Sequence, residues 1–180
     1  MFDAIYQLFW LNPWAQTVGI VALIFGASAF YNRDDQKLRR YLTVFTLLMS
    51  LHFLMLDLWV AAATAFLGSI RTYISSRTKN IWVMFGFLIT LLAISVPNIS
   101  EPVHTLPLLA TFFGTWGLFR EQGIRMRILM LLGTICWFSH NFIVGSIGGA
   151  IIEGSFLAIN ARTMIKMMRS DLIFLVTLVL

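Results

Sequence analysis

The sequence predicts an all-α membrane protein of seven transmembrane helices, built as two parallel three-helix repeats joined by one linker helix. Three observations carry that expectation: an apolar composition, basic residues confined to alternate connections, and an internal repeat. Of 180 residues, 59% are hydrophobic and 12% charged, where a soluble domain carries about 45–50% and about 25%. The mean hydropathy is +0.84. So little polar surface cannot cover a water-soluble globule. A cytosolic enzyme, a nucleic-acid-binding domain and a disordered regulator are thereby excluded. The single cysteine rules out an internal disulfide framework. No Cys/His spacing resembles a zinc site, so neither metal nor cofactor is expected.

Helical spans need roughly 17–25 mainly apolar residues to cross about 30 Å of hydrocarbon. Seven fit, near Pro13–Tyr31, Leu38–Leu56, Leu58–Ile74, Ile81–Val96, Val103–Phe119, Ile124–Val144 and Ile147–Lys166. Continuous apolar runs argue for helices, since a barrel shows short alternating segments. Asn12-Pro13 supplies a helix start, an N-cap followed by proline in the first turn. Pro97, Pro102 and Pro107 bracket the connection between spans four and five, and Pro107 is a candidate kink. Met1-Phe2-Asp3 lacks the basic region of a cleavable signal. The apolar stretch Leu172–Leu180 is too short to cross as a helix. It is expected to be an interfacial segment or a tail packed on the bundle.

Orientation follows from charge. All 13 basic residues lie at the connections after spans one, three, five and seven. The connections near Asp57, Pro97–His104 and Gly145–Gly148 carry none. The positive-inside rule places the N-terminus outside and the C-terminus in the cytoplasm. The basic connections serve topology and anionic membrane lipids, and nucleic acid is not an expected partner.

A shift of 88 positions aligns Phe25-Gly26 with Phe113-Gly114, Lys37 with Arg125 and Arg39 with Arg127. It also aligns Thr46 with Thr134 and His52 with His140; three further residues at the next turn align Arg71-Thr72-x-Ile74 with Arg162-Thr163-x-Ile165. The repeat unit is therefore three helices, and the odd linker makes the copies parallel. Residues 1–75 form the first bundle, 76–102 the linker helix, 103–169 the second bundle and 170–180 the tail. In parallel-repeat transporters the substrate site lies between the repeats near mid-bilayer.

Several stretches are recognisable: Phe30-Tyr31-Asn32-Arg33-Asp34, Ile70-Arg71-Thr72, His140-Asn141-Phe142 and Gly145-Ser146-Ile147-Gly148-Gly149 running on to Ile152-Glu153-Gly154-Ser155-Phe156-Leu157. They resemble the YgjV family of bacterial inner-membrane proteins over roughly residues 13–169. That resemblance implies a bacterial inner membrane and no particular activity. More distantly, the layout is similar to the SWEET and PQ-loop transporters, although the proline-glutamine signature is absent. In SWEET-like folds the third helix of each repeat supplies a polar pocket residue; the matching positions are Ser69 and Asn160.

An ionisable group in hydrocarbon costs at least about 2.5–3.5 kcal/mol, so it should face the bundle and find a partner. Gly149, Glu153, Phe156 and Asn160 share one helical face, and the first repeat has Ala62 and Ser69 at the positions of Glu153 and Asn160. His140 and Glu153 flank a tight turn at similar depth, within reach of a hydrogen bond. Two readings of Glu153, His140 and His52 stay open: a proton relay or solute site, and satisfied structural groups. Ser69 and Asn160 suit either a pocket or helix–helix hydrogen bonds, and Asn141 either a site or the end cap of span six. Asp57 reads as solvated, Cys136 as inert packing, and Gly145-x-x-x-Gly149 as a tight turn. Trp59, Trp116 and Trp137 are candidates for an aromatic site or for interfacial anchors.

The expected function is a small polar-solute transporter or facilitator using alternating access, with Glu153 open as a proton-coupling group. The solute is expected to be neutral or weakly cationic, because no basic residue is placed within a span to meet an anion. A non-transporting receptor or accessory subunit is the alternative, since folds host unrelated functions. An intramembrane enzyme is not expected, for want of a nucleophile, metal cluster or phosphate loop. One chain can enclose a pathway, and self-association stays open.

Overall fold

The computed structural model describes residues 12–99 and 101–179. Seven α-helices lie among them: α1 (Pro13–Tyr31), α2 (Asp35–Met55), α3 (Trp59–Arg77), α4 (Ile81–Ser95), α5 (Thr105–Arg120), α6 (Gly123–Ile143) and α7 (Ile147–Val179). Short 3-10 helices at Val96–Asn98 and Pro102–His104 join α4 to α5. No strand occurs among the described residues. By length and composition α1 and α6 can each cross a membrane, and α4 is a shorter apolar helix. α2 and α3 carry basic residues within their bounds, Arg39 and Arg40 in α2 and Arg71 in α3.

Local sequence explains most boundaries. Asn12 Oδ1 accepts from the Ala15 amide, and its Nδ2 donates 2.7 Å to the Met55 carbonyl, tying α1 to the end of α2. Pro107 falls in the first turn of α5, where its missing N–H breaks no helical bond, so no kink is needed. With neither glycine nor proline after Gly154, the last helix continues through the apolar C-terminal stretch, and α7 runs 33 residues to Val179. Leu180 and the side chains from residue 173 lie outside the described residues, as does Met1–Asp3.

The helices form a ring. α2 packs between α1 and α3, α6 packs between α5 and α7, and the ring closes through α1 on α7 and α3 on α5. α4 sits outside it, against α5 and α3. Many contacts recur at the shift of 88. Asp57 and Gly145, which stand that far apart, both have positive φ, 58° and 77°, and terminate α2 and α6. In each case the residue after the cap adopts the left-handed conformation that satisfies the last helical carbonyls.

The basic end of the ring carries the strongest pairing. Arg39 on α2 is buried and donates from Nε and Nη2 to the Leu118 carbonyl at 3.3 and 3.2 Å, in the last turn of α5. Arg127 on α6 is buried and donates from Nη1 to the Phe30 carbonyl at 3.1 Å, in the last turn of α1, and from Nη2 to the Asn32 carbonyl. Leu118 and Phe30 are themselves 88 positions apart. A helix leaves its last four carbonyls unpaired and carries partial negative charge there. Each guanidinium therefore meets the group best able to hold it in a buried place. Asp35 on α2 adds a third link, accepting 2.7 Å from the Gly123 amide at the start of α6. Phe30, Leu38, Leu118 and Met126 form the buried core around these links.

Two predictions follow from these ends. Gly145→Ala should lower stability by about 1–2 kcal/mol, because a Cβ is strained at positive φ. Asp57→Gly should leave the thermal midpoint unchanged or raised, and equal losses in both variants would contradict the shared cap geometry. Lys79 lies between α3 and α4 and donates 2.8 Å to the same Leu118 carbonyl. Burial pushes it down from 10.5 to about 8, with Arg39 adding to the effect and Asp35 opposing it. Below pH 8 folded and unfolded forms are both protonated; between about 8 and 10.5 the unfolded chain binds more protons, so this group makes stability rise with pH. Thermal unfolding across that window should lose this upward component in Lys79→Gln; an identical slope would show that the ammonium is not confined under α5.

Candidate functional site

A cavity of about 510 Å³ lies inside the ring. It reaches from Phe53 in the last turn of α2 and Ala61 in the first turn of α3 down to an aromatic floor. Phe30, Phe45 and Phe156 make that floor, with ring centroids 5.2 Å apart for Phe30–Phe156 and 5.5 Å for Phe45–Phe156. Gly26 is required beneath it, since a Cβ there would come within 2.5 Å of the Phe156 ring. The equivalent Gly114 lines the cavity and has open space where a Cβ would stand. Below the floor lies the arginine layer, where Arg39 and Arg127 bind the ends of α5 and α1.

Two charged side chains face this space. Glu153, on α7, lines the cavity beside Trp137 and Phe156. No hydrogen bond or ion pair holds its carboxylate among the described residues. Arg71, on α3, lines the deeper part. Its Nη1 donates 3.0 Å to Thr115 Oγ1 on α5, while its buried Nε has no hydrogen-bond partner. This corrects the expectation of an interior without cations. Arg71 was grouped with a basic connection, but α3 continues to Arg77 and turns Arg71 inward. The available signal was Thr115, which stands 88 positions from Ala27: at this position α5 has a hydroxyl and α1 has none.

The remaining sequence candidates do not join Glu153. His140 and Glu153 form no hydrogen bond. The His140 ring lies against His104 and Trp137, at centroid distances of 6.1 and 5.9 Å, and its buried Nδ1 has no partner. His52 Nδ1 sits 2.7 Å from the Ala15 carbonyl, pressed against Gly19 of α1. Asn141 lies against Gly149 at the α6–α7 turn.

Ser69 and Asn160 are both buried, yet neither lines the cavity. Ser69 Oγ donates 3.3 Å to the Thr43 carbonyl of α2, and Asn160 Nδ2 donates 3.1 Å to the Arg127 carbonyl of α6. Each links the third helix of its group to the second. The shared face of α7 is as expected, but Asn160 lies two turns deeper than Glu153, about 10 Å at 1.5 Å per residue. That depth puts it under the aromatic floor. Of the tryptophan candidates, Trp137 lines the cavity, Trp116 packs beneath α4 and Trp59 is exposed.

These placements separate by stability. Ser69→Ala should cost about 0.6–1.7 kcal/mol, as helix–helix hydrogen bonds do in membranes. Asn160→Ala should cost about 1–3 kcal/mol, because a buried carbonyl loses its donor. Glu153→Gln should keep or raise the thermal midpoint, since it removes an unpaired charge from an enclosed site. A large loss in Glu153→Gln would instead reveal a structural partner for that carboxylate.

Comparison with known proteins gives the family. The family model for the YgjV bacterial inner membrane proteins matches residues 13–171. The chain is similar to inner membrane protein YgjV of Escherichia coli (strain K12), 40% identical over 161 residues, covering 89% of this chain and 86% of that protein. No solved structure matches the chain. Matched over nearly its whole length on both counts, the chain belongs to the YgjV family of bacterial inner membrane proteins.

Proposed function

We propose that this protein is a small polar-solute transporter working by alternating access between two three-helix repeats. α1–α3 and α5–α7 are the repeats and α4 the linker, a 3+1+3, SWEET-like arrangement with seven crossings. The basic residues put the N-terminus outside and the C-terminus in the cytoplasm.

One observation carries the reading: the ring contacts and the arginine links recur at the same shift of 88 around a cavity floored by Phe30, Phe45 and Phe156. Two halves related in this way can rock about their shared seams and open the opposite end. On this reading the three-phenylalanine floor is the gate on the cytoplasmic side. Glu153 and Arg71 supply an acceptor and a donor at different depths, so the solute carries both kinds of group. Glu153, held by no other residue, is the proton-coupling group. No bond in the solute is made or broken.

The test uses purified protein in vesicles. Candidate solutes are first ranked by the rise they cause in the thermal midpoint, since a ligand of the folded state stabilises by about 2.7 kcal/mol at 100 times Kd. Uptake of the ranked solute should follow an imposed proton gradient in the wild type and lose that dependence in Glu153→Gln. Arg71→Lys, which keeps the charge and loses the planar fork, should weaken binding about tenfold. Uptake unaltered in both variants removes the site. Absence of any flux, together with a stoichiometric membrane partner on purification, establishes the receptor or accessory-subunit reading instead.

A further inference from the structure

We infer that the groove between α1 and α7 at the basic end holds the phosphate headgroup of an anionic phospholipid. Its basis is a difference between the two seams that close the ring, and it does not use the transport reading. At the α3–α5 seam, α4 lies across the basic end, where Met84 and Leu88 pack on a fully buried Phe119. At the α1–α7 seam Tyr31 stands 88 positions from Phe119 and is 65% exposed. No described helix covers it.

The arginines repeat this contrast. Arg71 turns inward to Thr115; the α1 residue 88 positions before Thr115 is Ala27, which has no hydroxyl to offer the counterpart Arg162. Arg162 remains outside, with no hydrogen bond or ion pair among the described residues. Beside it Lys166 Nζ lies 5.6 Å from the Tyr31 ring centroid, and Arg33 Nη1 donates 3.1 Å to Ser170 Oγ. These three cations border a pocket of about 260 Å³, and no acidic residue lines it. Converging guanidinium and ammonium groups without a carboxylate suit a phosphate oxygen cluster.

The surroundings select a lipid over a free anion. Tyr31, Ile24 and Ile20 follow one face of α1 away from the pocket and are 65%, 60% and 54% exposed. Such an apolar strip suits acyl chains below a headgroup and offers nothing to inorganic phosphate. Basic pockets between helices at the cytoplasmic side are where anionic headgroups bind.

The experiment is native mass spectrometry of the full chain titrated with phosphatidylglycerol, phosphatidylcholine or inorganic phosphate. The wild type should retain phosphatidylglycerol in preference to phosphatidylcholine. Arg162→Gln/Lys166→Gln should weaken that binding roughly 10- to 30-fold, at about 1 kcal/mol per cation. Lys37→Gln/Arg125→Gln, which removes the same charge elsewhere at the basic end, should bind as the wild type does. Equal loss in both double variants reduces the effect to net charge and overturns the site. Undiminished binding in Arg162→Gln/Lys166→Gln also overturns it, as does competition by inorganic phosphate. Thermal midpoints in phosphatidylcholine discs confirm that each variant is folded; if the first double variant unfolds, Arg162→Lys should retain binding and Arg162→Gln alone lose it.

Discussion

The ring depends on an exchange of positive charge for helix-end carbonyls. Arg39 reaches from α2 to the end of α5, and Arg127 reaches from α6 to the end of α1. A guanidinium in a buried place is tolerable only where oxygens surround it. The unpaired last turn of a helix supplies those oxygens with the dipole already aligned. Each arginine also removes the penalty of leaving the carbonyls bare, about 1–3 kcal/mol per group. Because each bond joins the first half of the chain to the second, neither half presents a complete end without the other. The apolar core of Phe30, Leu38, Leu118 and Met126 assembles around that frame, as does the aromatic floor above it.

Much of this frame is legible in the sequence. Asn12-Pro13 marks the start of α1, and the pairing of Arg39 with Arg127 is visible as a repeat. Glu153, Phe156 and Asn160 do share a face. What composition and spacing withhold is depth and direction. Hydropathy treats Arg71 as one more topological charge, whereas a single hydroxyl, Thr115, decides that it turns inward. His140 and Glu153 look close along the chain, yet they flank a turn whose aromatic neighbours, His104 and Trp137, take up the imidazole. Ser69 and Asn160 occupy matching positions, as aligned, but two helical turns separate the cavity wall from the layer beneath the floor. The end of α7 lies beyond the reach of a length rule for membrane spans, which does not terminate a helix that lacks a breaking residue.

The departures from the repeat are as informative as the repeat itself. Structural positions match in kind on both sides: Arg39 and Arg127, Asp57 and Gly145, Ser69 and Asn160. Thr46 and Thr134 both line the cavity and match, but other positions differ: Glu153 stands where the first group has Ala62, and Phe156 where it has Ala65. Arg71 with Thr115 replaces Arg162 with Ala27. A scaffold whose links recur thus carries an asymmetric interior, as the transport reading needs for an asymmetric solute.

Under the transport reading, the arginine links must also part. In a dry interior that would strand two guanidinium groups and several carbonyls, a prohibitive penalty. The links lie instead in the last turns of α1 and α5, beside the exposed Arg40 and Arg120. Separation there admits water to every group it uncouples. An exchange of protein hydrogen bonds for water costs a net of only about 0.5–1.5 kcal/mol per bond, and somewhat more where a charge takes part. The same placement that lets each arginine stay charged while closed therefore lets it stay charged while open. On that reading the links would behave as a latch whose strength is set by the few bonds that cannot be re-formed with solvent, and the aromatic floor above would exclude the solute.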